Sequence, residues 1–155
     1  PKERWRSNPL KWLQGQGTDF VRHHALEASD FAGFHVYPDH WWMLPGGRTE
    51  AWIREHIEDA TKHLGKPVII GEFGKRGRAR DEYLERWLKV CTEQDVEESA
   101  MCGAMLWILY HDAYPDYDRF GVYLPRDAKT RALLGEFVRR LETHEPAPMT
   151  EAMHE

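Results

Sequence analysis

The stretch Lys66-Pro67-Val68-Ile69-Ile70-Gly71-Glu72-Phe73-Gly74-Lys75 limits the folds open to this chain more than any other. Val68, Ile69 and Ile70 form a short β-branched run, the pattern of a strand buried on both faces. Pro67 can open such a strand but has no N–H to offer inside it. A carboxylate follows at once, set between glycines. Strict alternation predicts that Glu72 points the same way as Val68 and Ile70. Glycines leave room for another chain or a ligand, and a charge at the carboxyl end of a parallel strand is where α/β enzymes place their chemistry. Taken alone, a glutamate that merely ends a strand and meets solvent fits as well. The rest of the chain decides between the two.

A chain of 155 residues is long enough for one domain with a real core. Its 41% hydrophobic and 30% charged residues describe a globular chain, neither disordered nor embedded in a bilayer. No apolar run approaches the ~18–20 residues that span a membrane. The net charge of −5 argues against a nucleic-acid partner, which wants a basic face. Lys75, Arg76, Arg78 and Arg80 do cluster, and are expected to form a solvated loop.

Seven Trp and six Tyr are many for this length. Trp5, Trp12, Trp41, Trp42 and Trp52 sit among polar residues, where an exposed indole marks a binding surface. Flat aromatic faces suit sugar rings, which present a face of C–H groups. Cys91 and Cys102 are too few for a disulfide framework and lack metal-ligand spacing. A disulfide and two buried thiols both remain open, with thiols favoured. Nothing resembles a signal peptide. The chain begins at Pro1 and is expected to be cut from something longer.

Three strand candidates alternate with helices. Gly17 or Thr18 opens a helix over Asp19–Leu26, with Asp19 favourable in its first turn. Phe31–Tyr37 reads as a strand stopped by Pro38, and Asp39–Gly47 as a Trp-rich loop. A helix from Thr49 carries Trp52, Ile53, Ile57, Ala60 and Leu64 at helical spacing and stops at Gly65. The Lys66–Phe73 strand follows. A helix over Asp81–Gln94 shows Tyr83, Leu84, Trp87, Leu88 and Cys91 on one face. Gly103–Leu109 is the third strand, and the last helix spans Ala128–Leu141. Such alternation means βαβ units and a parallel sheet. Residues 1–142 are expected to form the domain and residues 143–155, with Pro146 and Pro148, a frayed tail.

In a parallel sheet the carboxyl ends of neighbouring strands lie side by side. His35 and Tyr37 would then meet Glu72 and Trp107 in one crevice. Each has a use in attack on a glycosidic bond. A carboxylate can attack the anomeric carbon, and a tyrosine hydroxyl can orient it. An imidazole can bond sugar hydroxyls, and an indole can floor the reacting ring. Ordinary core packing would explain any one of these residues, but four at matched strand ends favour function.

Several stretches, in order, resemble glycoside hydrolase family 5, close to the plant-type endo-β-1,4-mannanases. These are Gly17-Thr18-Asp19-Phe20, Asp30-Phe31-Ala32-Gly33-Phe34-His35-Val36-Tyr37-Pro38-Asp39-His40-Trp41, the Lys66–Lys75 stretch and Gly103-Ala104-Met105-Leu106-Trp107. The resemblance covers most of Pro1 to Leu141. It implies an α/β fold, the sixth to eighth strands of a (β/α)8 barrel. It implies that Glu72 is the nucleophile of a retaining hydrolase, Tyr37 the tyrosine bonded to it and His35 an active-site histidine. Trp107 would underlie the sugar at the cleavage point, and Trp41 would be an aromatic sugar platform in the loop after strand six. The implied substrate is a β-mannan and the implied location extracellular, with no cofactor, metal, nucleic acid or membrane partner.

The departure from the family is large. Its acid/base glutamate follows an asparagine, and the only asparagine here is Asn8. A full barrel takes about 250 residues. Asp39, Asp112, Asp116 and Asp118 read as solvated turn residues, so no second catalytic carboxylate is evident. The expectation is a C-terminal piece of a mannanase, inactive alone, whose partner is the N-terminal half of the barrel. A related β-glucan hydrolase and a non-catalytic sugar-binding half-barrel are the alternatives.

Overall fold

The computed structural model describes residues 19–41, 47–93 and 99–143. Trp5, Trp12, Trp42, the helix start at Gly17 or Thr18 and the tail from residue 144 lie outside the described residues. The elements run α1 (Phe20–His24), β1 (Ala32–Val36), α2 (Pro38–Trp41), α3 (Arg48–Asp59), β2 (Val68–Phe73), α4 (Arg80–Thr92), β3 (Met101–Leu106) and α5 (Ala128–Glu142). The three strands form one parallel sheet in the order β1-β2-β3. This is an α/β arrangement with the alternation that the sequence predicts.

The caps differ from expectation in instructive ways. Asp19 is the cap of α1 itself, its carboxylate accepting from Arg22 N at 3.1 Å, so the helix begins after it. Pro38 does end β1, but it also starts the single turn α2 where a loop was expected, because its fixed φ suits a first helical turn. Helix α3 runs on through a wider turn at Ala60–Leu64, and Gly65 closes it at φ 58°.

One face of the sheet carries the core. Ala32, Phe34, Val36, Val68, Ile70, Phe73 and Met101 are buried there with Ile53, Ile57, Leu84, Trp87 and Leu88 from the helices. Gly33, His35, Ile69, Glu72 and Met105 are not buried. The register explains this split. Phe34 pairs with Ile70 but His35 pairs with Glu72, so Gly71 is an extra residue in β2, a β-bulge. The bulge reverses the alternation. Glu72 therefore faces away from Val68 and Ile70, contrary to the simple period-2 reading, and lies beside His35.

The third strand is shorter than expected. After Trp107, whose N–H still bonds Phe73 O of β2, the chain turns to a later loop: Tyr110 N donates to Val122 O at 2.8 Å and Val122 N to Ile108 O at 2.9 Å. Among the described residues, no helix is long and apolar enough to cross a membrane.

Candidate active site

The bulge that turns Glu72 outward is built for its neighbour. A Cβ on Gly71 would sit 3.1 Å from Nε2 of His35, so a side chain there would displace the imidazole. Gly74 is constrained far more tightly: a Cβ would meet the Trp107 backbone O at 2.6 Å and Phe120 at 2.8 Å. The two glycines flanking Glu72 and Phe73 thus let β1 and the end of β3 close in on the carboxylate.

Tyr37, one residue past β1, donates its hydroxyl to Oε2 of Glu72 at 2.6 Å. His35 Nδ1 lies 3.4 Å from the same oxygen. The side chains remain 34% exposed for Glu72 and 51% for His35, so the carboxylate is reachable from outside. Burial, and then the hydrogen bond to Glu72, hold the Tyr37 phenol far above its ordinary range. It therefore stays a proton donor at any ordinary pH. Both contacts engage Oε2, and among the described residues no hydrogen bond reaches Oε1. A carboxylate held through one oxygen and reachable from outside is chemically able to act as a nucleophile or a base.

Trp107 follows β3 directly, its N–H bonded to Phe73 O at 2.8 Å. Its indole Nε1 donates to Asp118 Oδ2 at 2.8 Å. Asp118 also accepts from Phe120 N at 3.0 Å through its other oxygen. Burial opposes ionisation of Asp118, but these donors outweigh it and hold the carboxyl below its usual value. Phe120 then packs edge-on against Tyr37, with ring centres 5.4 Å apart. The loop after β3 therefore supports both the indole and the phenol.

The loop after β2 is clamped as well. Lys75 Nζ bonds Asp39 Oδ1 at 2.8 Å, with only 9% and 12% of the two side chains exposed. Asp39 Oδ2 accepts from Arg76 N at 3.0 Å, and Arg76 lies over the Phe120 ring at 4.5 Å. Arg80 bonds Asp127 at 2.9 Å and Gly121 O at 3.1 Å. The basic cluster is thus largely structural, with Arg78 alone of the four exposed, and not the solvated loop that was expected.

Sequence reasoning groups His35, Tyr37, Glu72 and Trp107; the structure sets His35 and Tyr37 on Glu72 and ties Trp107 to β2 through Phe73 O and to the following loop through Asp118. Trp41 stands at the edge of the group, 6.1 Å from the Tyr37 ring and 5.8 Å from Trp52. Trp52 itself is half-buried against the core and not an exposed platform. Asp118, Phe120 and the Lys75–Asp39 pair were missed. Asp39 and Asp118 are partly buried and occupied by these partners, so they are not solvated turn residues. Asp112 and Asp116 are exposed, as expected, the first paired to Arg126 and the second accepting from Gly121 N at 3.2 Å. An Asp-x-Phe turn soon after the strand-ending Trp was the available signal for Asp118.

No protein-family model matches the chain. It is 32% identical over 150 residues to mannan endo-1,4-β-mannosidase 8 of Oryza sativa subsp. japonica, an alignment that covers 87% of this chain and 40% of that protein. The chain is homologous to part of the plant mannan endo-1,4-β-mannosidases. Its fold matches an endo-1,4-β-mannanase from Rhizomucor miehei with a TM-score of 0.69 at 23% identity, over 83% of this chain and 34% of that one. It matches an endo-β-1,4-mannanase from Thermotoga petrophila with a TM-score of 0.64 at 26% identity, over 90% and 30%. The chain thus spans less than half the length of these mannanases, and its three parallel strands are consistent with part of their barrel.

Proposed function

We propose that this chain is the nucleophile-bearing, C-terminal part of a retaining endo-β-1,4-mannanase of glycoside hydrolase family 5, contributing strands six to eight of a (β/α)8 barrel. The observation that carries the reading is the 2.6 Å bond from Tyr37 to one oxygen of Glu72, made at adjacent ends of parallel strands. Glu72 attacks the anomeric carbon through Oε1 while the glycosidic C–O bond breaks. The leaving oxygen takes a proton from an acid carried on another part of the barrel. That residue, now a base, takes a proton from water, whose oxygen displaces Glu72 and restores both groups. Two carboxyl groups about 5–5.5 Å apart are needed for this, and Asp39, Asp116 and Asp118 are all engaged elsewhere. Trp107 floors the sugar at the cleavage point, His35 bonds its hydroxyls and Trp41 offers a more distant platform. The substrate is an internal bond of mannan, glucomannan or galactomannan, and such polymers place the enzyme outside the cell.

The test is hydrolysis of soluble galactomannan by the chain alone and mixed with the N-terminal half of a matching mannanase barrel. Activity in the mixture alone, abolished by Glu72→Gln, is the expected result. Turnover by the chain alone would overturn the need for an external acid. Silence in the mixture, with both halves folded and oligosaccharide still bound, would favour a non-catalytic sugar-binding module. Faster hydrolysis of β-glucan than of galactomannan would move the substrate to glucan.

A further inference from the structure

Arg76, in the loop after β2, joins groups from the loops after the other two strands. Its guanidinium lies over the Phe120 ring, 4.5 Å from the ring centre, and its Nη2 bonds Nε2 of His40 at 3.2 Å. A guanidinium can only donate, so the imidazole accepts there. The Arg76 backbone is fixed on both sides: its N–H donates to Asp39 Oδ2 at 3.0 Å and its carbonyl accepts from Lys75 Nζ at 2.6 Å. Nε of Arg76 is buried and has no hydrogen-bond partner among the described residues. A half-buried arginine on a loop could turn that N–H to water, and an unpaired buried donor is unfavourable. The contacts with Phe120 and His40 therefore decide where the side chain lies.

Both of those rings border Tyr37. Phe120 packs edge-on against it at 5.4 Å and His40 at 6.1 Å, and the two lie 5.6 Å apart, 30° from parallel. The backbone of Tyr37 is set by the turn that follows it, its carbonyl accepting from His40 N at 3.0 Å and Trp41 N at 3.2 Å. The side-chain torsions remain, and the neighbouring rings restrain them. Phe120 is buried and held by its own packing. His40 is exposed on a four-residue turn, and Arg76 is bonded to its ring. The Tyr37 bond goes to a part-exposed carboxylate, where water competes unless the phenol is already aimed. We propose that Arg76 is a positioning residue for Glu72: by holding His40 and Phe120 against Tyr37, it fixes the phenol on Oε2 and so the direction of Oε1. The proposal rests on the reading of Glu72 as the nucleophile. It goes beyond that reading in giving a role to the loop after β2.

Two measurements test it. In the 155-residue chain with isotope-labelled tyrosine rings, nuclear magnetic relaxation reports how fast the Tyr37 ring flips. Arg76→Met keeps a long side chain and the backbone bonds but removes the charge and the donor, and the flip should become about tenfold faster. Arg76→Lys keeps a cation for the Phe120 ring and should recover part of the restraint. A rate in Arg76→Met within about twofold of the unsubstituted chain overturns the proposal. In the mixture with the N-terminal half of a barrel, Arg76→Met should lower kcat on galactomannan about tenfold and leave KM within about twofold. Once Tyr37→Phe has removed the hydroxyl, Arg76→Met should lower kcat no further. An equal fall in both backgrounds would show that Arg76 does not act through Tyr37, and overturns the proposal while the Glu72→Gln result stands. A ring freed by Arg76→Met in a chain whose mixture is silent would instead overturn the reading of Glu72 and leave the positioning of Tyr37 standing.

Discussion

Trp87 and His56 belong to the helix-covered side of the sheet, Trp107 and His35 to the rim at its carboxyl end, and the same residue types behave differently in the two places. Trp87 is fully buried, and its indole N–H has no hydrogen-bond partner among the described residues. Trp107 is only half-buried, yet its indole is bonded to Asp118. His56 is buried and stacked on Phe34 at 4.3 Å, while His35 is open and beside a carboxylate. Cys91 is a buried free thiol and Cys102 an exposed one. The covered side is held mainly by non-directional packing. The rim is held by directional bonds that fix where each group points. Stability should therefore depend on the first region and recognition on the second.

Truncation of the buried indole should have the largest effect. Trp87→Ala empties a fully buried site next to Leu84 and is expected to cost about 3–5 kcal/mol. The urea midpoint should fall with little change in slope. Trp87→Phe should cost much less, because it loses less volume and removes the unpaired N–H as well. Trp107→Phe should barely move the midpoint, yet weaken oligosaccharide binding. If Trp107→Phe destabilises as much as Trp87→Ala, the division between the two regions fails.

The covered side also hides a pH-dependent element. Burial lowers the pKa of His56 from 6.5 to about 4, with His24 adding to the fall and Asp59 and the bond to Trp52 O opposing it. The unfolded chain binds this proton more readily than the folded one. The neutral ring's contribution is therefore complete above pH 6.5 and is lost as pH falls towards 4. The loss amounts to about 3 kcal/mol across that window. His56→Phe should flatten the acid limb of stability between those values, read from urea midpoints at each pH. An unchanged acid limb would mean that His56 is accessible to protons in the folded state.

The two regions were also unequally legible in the sequence. Periodicity reports burial, so the covered side could be read directly: Leu84, Trp87, Leu88 and Cys91 were placed on one helix face and are buried there. The rim depends on breaks in periodicity. The bulge at Gly71 reverses the direction of Glu72, and no alternation rule anticipates it. Residue types at strand ends were enough to bring His35 and Tyr37 to Glu72, because parallel strands bring their ends together whatever the local register. The supporting residues were not legible. Asp118 and Asp39 look like any turn aspartates, and only tertiary contacts with Trp107, Lys75 and Arg76 distinguish them.

The smallest effect should come from Asp118, and it sharpens the comparison most, because it separates position from stability. Asp118→Asn keeps an acceptor for Phe120 N but weakens the bond to the Trp107 indole, since a neutral acceptor is weaker than a charged one. Its carboxyl is held below the usual 3.8, so its bonded form is stabilising above that value and is lost as pH falls through the lower, folded-state value. In the unsubstituted chain, the indole N–H resonance of Trp107 should therefore move only below pH 3.8. In Asp118→Asn it should be shifted at neutral pH and should not titrate. Global stability at pH 7 should change by no more than about 1 kcal/mol, while mannotetraose affinity falls. A resonance that titrates identically in both proteins would show that Asp118 does not position the indole, and the rim would then owe its shape to packing, as the covered side does.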